Sequence, residues 1–196
     1  MISTRILTGT ELDARIDDIA ALRIEVFRDF PYLYDGSLDY ERSYLSVYQT
    51  HASAIVVGAF DGDRLVGAST GTAMSDHSDD FGSAFTNAGL RMDNMFYCAE
   101  SVLLSAYRGH GLGHKFFDAR EGFARKLGFE NICFCAVQRP ANHPLRPAQY
   151  RPLDGFWLKR GYAKLPGVVA GFSWTDVGLQ HETEKKLNFW SKSLQS

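Results

Sequence analysis

Tyr107-Arg108-Gly109-His110-Gly111-Leu112-Gly113 sets three glycines at alternate positions between an apolar run ending at Leu104 and an amphipathic stretch from Gly111 to Leu127. Glycine allows positive φ and leaves backbone amides open to close approach. The helix predicted to start here would present free N–H groups and the positive end of its dipole, a setting that suits phosphate. Arg108 would add a charged donor beside it. The segment is no P-loop, because Gly-Lys-Ser/Thr is missing. It is no dinucleotide fingerprint either, because the spacing is G-x-G-x-G rather than G-x-G-x-x-G.

Around this turn the chain reads as an α/β protein with a mixed sheet. Ser3–Leu7 predicts a first strand. Thr10 opens a helical pattern through Leu12, Ile16, Ile19, Leu22 and Val26, broken by Pro31 and Asp35-Gly36. Leu38–Gln49 predicts a second helix. Ala54–Phe60 and Leu65–Thr72, joined by Asp61-Gly62-Asp63, predict a hairpin. The polar segment Met74–Asn94 predicts a long loop, and Met95–Leu104 a single strand. A helix over Gly111–Leu127 would end at Gly128, its C-terminal cap. Asn131–Val137 predicts a buried strand, and Leu153–Arg160 a short helix closed by Gly161. The four prolines between Arg139 and Pro152 exclude regular structure there. Val168–Val177 and Leu187–Leu194 predict the last strands. The order is β-α-α-β-β-β-α-β-α-β-β, and 196 residues fit one domain over 1–196. Hairpins with one β-α-β unit imply helices on both faces of the sheet.

Composition narrows the function classes. The formal net charge is −2, and Lys and Arg form no basic run, which argues against nucleic acid. No window approaches the ~18 apolar residues of a membrane span, and Met1–Leu7 does not read as a signal peptide. Cys133 and Cys135 would share a strand face. With Cys98 they complete no zinc pattern, so no metal site is expected and reduced, packed thiols are. A cytoplasmic location follows as an expectation.

Arg108–Gly113 resembles the R/Q-x-x-G-x-G/A motif of the GNAT superfamily of N-acetyltransferases. Glu100-Ser101-Val102-Leu103-Leu104 resembles the family's central strand, and Gly128-Phe129 its helix closure. Phe156-Trp157-Leu158-Lys159-Arg160-Gly161-Tyr162 is similar to its final helix. Phe27–Asp35 also resembles bacterial members of this superfamily. The resemblance implies a central, mostly antiparallel sheet whose parallel strands, Met95–Leu104 and Asn131–Val137, splay apart. It implies acetyl-CoA as cosubstrate, with the CoA pyrophosphate on Arg108, Gly109, His110, Gly111, Leu112 and Gly113. The pantetheine arm would lie along Val102, Leu103 and Leu104, with the Val102 amide at the thioester oxygen. The motif departs from the family at Trp157, where a Tyr often protonates the departing thiolate; Tyr97, Tyr150 or Tyr162 would have to substitute, or no acid is used. A second departure is the proline-rich insertion between Arg139 and Leu153.

An amine of pKa about 10 must lose a proton before it attacks. Glu100 is the candidate catalytic base, since it shares strand parity with Val102; the alternative is an ion-paired or edge-facing Glu. The acceptor would be an amine on a small molecule or a peptide. Phe30, Tyr32, Tyr34, Asp35, Asp39 and Tyr40 would offer it carboxylates and ring faces. Phe27 and Tyr44 read as core-packing residues, and His143 as a solvated loop residue or a further acceptor contact. Two other readings stay open: a non-catalytic acyl-CoA-binding module of the same fold, and an α/β protein binding another phosphorylated ligand. The aromatic stretch Leu187–Trp190 would serve a core or a homodimer.

Overall fold

The computed structural model describes residues 2–195. Its sheet has the strand order β1-β2-β3-β4-β6-β8-β7, with β5 off this path and paired to β3. The strands are β1 (Ile2–Leu7), β2 (Ile55–Asp61), β3 (Arg64–Ala73), β4 (Met95–Tyr97), β5 (Ser101–Leu103), β6 (Asn131–Val137), β7 (Ala163–Thr175) and β8 (Glu182–Ser193). All neighbours run antiparallel except β4 and β6, which are parallel from Met95↔Asn131 to Tyr97↔Cys133. Hairpins supply two of the antiparallel pairs, β2–β3 and β7–β8, and a crossover helix makes the parallel one possible. β2 is buried on both faces from Ile55 to Phe60, which explains its continuous apolar run.

Helices cover both faces. α1 (Gly9–Asp13), α2 (Ile16–Phe27), α3 (Leu38–Leu45) and α4 (Val47–Thr50) follow β1. α5 (Ser78–Asn87) follows a 3₁₀ turn at Met74–His77. α6 (Leu112–Lys126) crosses from β5 to β6, and α7 (Asp154–Lys159) precedes β7. α6 buries Leu112, Phe116, Arg120 and Ala124 at a spacing of four, with Phe117 and Glu121 beside them. Its end is fixed as the sequence predicts. Gly128 has φ +84°, its N–H reaches Arg125 O, and Phe129 N–H reaches Ala124 O. Gly161 closes α7 in the same way, through Leu158 O and Trp157 O.

Three sequence expectations are corrected. Met74–Asn94 is largely helical. Phe81 and Phe85 of α5 are buried against Phe189 at centroid distances of 5.1 and 4.9 Å, and this apolar pair outweighs the acidic cluster around it. The predicted strand Met95–Leu104 is two strands. The helices predicted over residues 10–26 and 38–49 are each broken into two, at Ala14-Arg15 and at Ser46.

Candidate active site

The break between β4 and β5 is a β-bulge. Between the pairs Thr72↔Tyr97 and Ser69↔Ser101, two residues of β3 face three: Cys98, Ala99 and Glu100. Thr70 O accepts from Ala99 N–H (3.2 Å), and Glu100 O accepts from Thr70 N–H (3.1 Å). A bulge adds twist and re-aims side chains. Beyond Cys98 N–H, which still reaches Cys133 O at 2.8 Å, β6 pairs with β8 while β5 stays with β3. The two parallel strands therefore fork at the bulge.

The register of β5 shows which backbone groups face that fork. Leu104 donates to Val66 O (3.0 Å), and Val102 stands opposite Ala68. In an antiparallel ladder every second residue bonds to its partner, so the Val102 and Leu104 amides turn to β3. The edge towards β6 belongs to Ser101 and Leu103. The Val102 amide therefore faces β3 and not the fork.

Beyond β5 comes the glycine turn. Gly109 and Gly111 have φ of +84° and +76°, and Gly111 caps α6. A Cβ at either would meet nothing within 4 Å, and one at Gly113 only Phe156 Cζ at 3.5 Å. The turn is thus open to a ligand, not packed against the protein. Arg108 and His110 are exposed there, and Leu112 is buried and anchors the helix start. This arrangement can hold a phosphate group.

On the other face, before β5, lies a cavity of about 320 Å³. Ala99 and Glu100 both line it, as the bulge permits, with Cys135 of β6. Ser101, next in sequence, points the opposite way and accepts from Arg120 of α6 (2.8 Å). Phe27, Tyr32, Tyr34, Tyr40, Tyr44 and Asp35 line the cavity too, so two residues read as core, Phe27 and Tyr44, also face it. Phe30 instead packs on Tyr150 (4.7 Å) and His143 (5.7 Å), and Asp39 is almost fully exposed.

Glu100 belongs to a buried charged group. Arg23 Nη1 lies 2.6 Å from Glu100 Oε1, and Arg23 Nε bonds Glu41 Oε2. Tyr44 donates its hydroxyl to Glu100 Oε2 (3.0 Å) and touches the Tyr48 hydroxyl (3.3 Å). Arg23, Glu41 and Glu100 are 7%, 0% and 8% exposed. The Arg23–Glu100 contact lacks hydrogen-bond angles, so Oε1 is left without a hydrogen bond. Burial alone would lower Arg23's pKa, but Glu100, Tyr44 and Glu41 together raise it well above its ordinary value. Burial, then Glu100's charge, holds the Tyr44 hydroxyl well above the usual tyrosine range.

The loop carrying Tyr32, Tyr34 and Asp35 is held from behind. Arg139 forks onto Asp176 (2.8 and 2.9 Å) and also donates to Pro31 O (2.8 Å) and Tyr32 O (2.7 Å). Trp174 Nε1 reaches Tyr32 O as well (3.1 Å). Leu33 sits at φ +55°, a strained conformation for leucine that these contacts over-determine. His77 of the 3₁₀ turn and Asp80 and Phe81 of α5 close the remaining wall. Arg23, Glu41, Asp176 and the α5 residues were missed in the sequence. A signal existed for Arg23, which interrupts the stripe Ile16, Ile19, Ala20 and Phe27.

The profile of the acetyltransferase (GNAT) family matches residues 19–172. The chain belongs to the GNAT acetyltransferase family. Acetyl-CoA is the cosubstrate of that family, and the open glycine turn fits its phosphates. No curated protein sequence matches the chain. Among solved structures, the yncA protein of Salmonella typhimurium, determined with its cofactor acetyl-CoA, is 12% identical with TM-score 0.63, over 100% of this chain and 95% of that one. The paia N-acetyltransferase of Thermoplasma acidophilum, in complex with coenzyme A, is 13% identical with TM-score 0.58, over 98% and 99%. A ribosomal-protein-alanine N-acetyltransferase from Brucella melitensis is 12% identical with TM-score 0.63, over 96% and 99%. At these identities the likeness is one of GNAT fold.

The GNAT fold places the remaining candidates. Trp157 packs between Phe134 (4.9 Å) and Trp190 (5.1 Å). Tyr162 is buried and donates to Glu121 (3.1 Å), and Tyr150 meets Phe30 edge to face. Tyr97 alone of the three substitute tyrosines lines the cavity, with its hydroxyl 3.2 Å from Cys135 Sγ. All three cysteines are buried and free. Burial pushes the Cys98 thiol up to about 11 and, with its Tyr97 contact only partly opposing, Cys135 up to about 12, so both are protonated packing groups. No helix among the described residues is long and apolar enough to cross a membrane.

Proposed function

We propose that this chain transfers the acetyl group of acetyl-CoA to a primary amine by direct attack in a ternary complex. The observation that carries this reading is the fork. An anion cradle follows the C-terminal end of β5, and an acidic, aromatic cavity opens at the bulge before it. Two ligands entering from these two sides would meet at the fork.

Acetyl-CoA supplies an activated thioester. Arg108 and the Gly109–Gly113 backbone would hold its pyrophosphate, with Leu112 anchoring the turn. Ser101 and Leu103 present the backbone edge that would pair with the pantetheine arm. Glu100 would receive the proton that the entering ammonium must lose. Arg23 and Tyr44 hold its carboxylate in place. Tyr97, its hydroxyl kept protonated by burial, would donate a hydrogen bond to the leaving sulfur. A thiolate of pKa about 8.5 needs no stronger acid.

Two variants test this. Arg108→Glu reverses an exposed charge at the cradle. Calorimetric affinity for acetyl-CoA should fall roughly 10-fold or more with melting temperature unchanged. Glu100→Gln should keep acetyl-CoA affinity and lose about 10²–10⁴-fold in kcat. Acetyl-CoA binding without turnover of any amine by the wild type would favour the non-catalytic module, the reading that Trp157 supports. No acetyl-CoA binding by the folded protein would overturn the transferase.

A further inference from the structure

We infer that the acceptor is a cationic amine with no carboxylate near its reacting nitrogen: an alkyl- or aralkylammonium, not an amino acid. This rests on the amine-acetyltransfer reading above and narrows its substrate class. Five carboxylates line the cavity, those of Asp35, Glu41, Asp80, Glu100 and Glu182. Among the described residues, Arg23 is the one Lys or Arg that lines it. Its guanidinium is already committed to Glu41 and Glu100, two carboxylates against one positive charge.

That buried group therefore carries one negative charge too many. Buried carboxylates stay ionised only when paired, and an unpaired one is costly. Glu100 Oε1 is buried 2.6 Å from Arg23 Nη1 yet has no hydrogen bond, and Glu100 lines the cavity that an ammonium would enter. An ammonium supplies the missing cation and at the same site gives Glu100 the proton the reaction removes. The walls fit the rest of such a molecule. Phe27, Tyr32, Tyr44 and Tyr97 offer ring faces to a cation and to an apolar body.

An amino acid brings its carboxylate within two bonds of the nitrogen. Among the described residues, no uncommitted Lys or Arg lines the cavity to receive it. Arg23 is held as an ion pair between Glu41 and Glu100, and His77 turns Nδ1 to Asp80 at 3.3 Å. Nearby cations are also committed: Arg28 to Asp35, and Arg139 and Lys185 to Asp176. The carboxylate would stand unpaired among carboxylates, and a polar group left without its partner is rejected strongly.

Matched pairs test the class. Phenethylamine with phenylalanine, and isopentylamine with leucine, differ only in the carboxylate. Phenylalaninamide keeps the amino acid's bulk without the charge. Binding is read by calorimetry with CoA present, and turnover by acetyl-CoA consumption. The amines and the amide should bind, with the amino acids weaker by roughly 100-fold or more. Glu100→Gln should abolish much of that preference. Comparable binding of amine and amino acid would overturn the proposal while leaving acetyl transfer standing. Failure of every ligand to bind the folded, CoA-loaded protein would overturn it too. Amine-selective binding without acetylation would uphold the recognition and count against the transfer reading.

Discussion

Arg23 shows how one residue decides the character of a site. In α2 it occupies a position that the apolar stripe reserves for the core, and Glu41 meets it from α3 fully buried. Removing one member of a buried ion pair leaves the other uncompensated, which costs about 3–5 kcal/mol. Glu41→Ala and Glu100→Gln should each cost less than that in denaturant titration, because Arg23 keeps the other carboxylate as its partner. Arg23→Ala should be the worst of the three, since it leaves two carboxylates buried together. If Arg23→Ala proved the mildest, the charged group would not hold this face as described.

At the scale of elements, the sequence announced the helices and strands whose ends are written locally. Gly128 and Gly161 stop α6 and α7 where a left-handed residue is needed, and the apolar β2 run needs no context to be read. What stayed hidden depends on partners far away in sequence. The bulge at Cys98–Glu100 exists only against Thr70 and Gly71 of β3, and the Arg139–Asp176 clamp joins residues 37 apart with α7 and β7 between them. Glu100 could be singled out beforehand; its partner Arg23 and the phase of the Val102 amide could not.

That clamp has a pH signature. Burial alone would raise Asp176, but hydrogen bonds from Arg139 and Lys185 prevail and hold it below the ordinary carboxylate range. Hydrogen bonds from Lys192 and Arg160 likewise overcome burial at Glu121. Groups lowered in the fold stabilise it above their unfolded pKa near 4 and lose that contribution as pH falls through the folded value. Melting temperature should fall steeply from about pH 4 downwards. Asp176→Asn should lower it most at pH 7 and merge with wild type in acid. A mutant deficit that persisted undiminished in acid would show that packing, not charge, makes this clamp.

Across the whole molecule, two apolar clusters divide the work. The larger contains Phe116, Phe117 and Leu112 of α6 and sets the cradle. The other contains Phe81 and Phe85 of α5 with Tyr97, Cys135 and Phe189, and it backs the cavity wall bearing His77 and Asp80. A fault in the second cluster should then reach the acceptor without reaching the cofactor. Phe85 is fully buried and does not line the cavity, so Phe85→Ala tests this separation. The lost packing should cost about 3–5 kcal/mol. At a temperature where the variant remains folded, KM for the amine should rise several-fold while calorimetric affinity for acetyl-CoA stays at the wild-type value. Equal losses on both sides would mean that the clusters form one rigid unit, with α5 supporting the entire fork and not the acceptor wall alone.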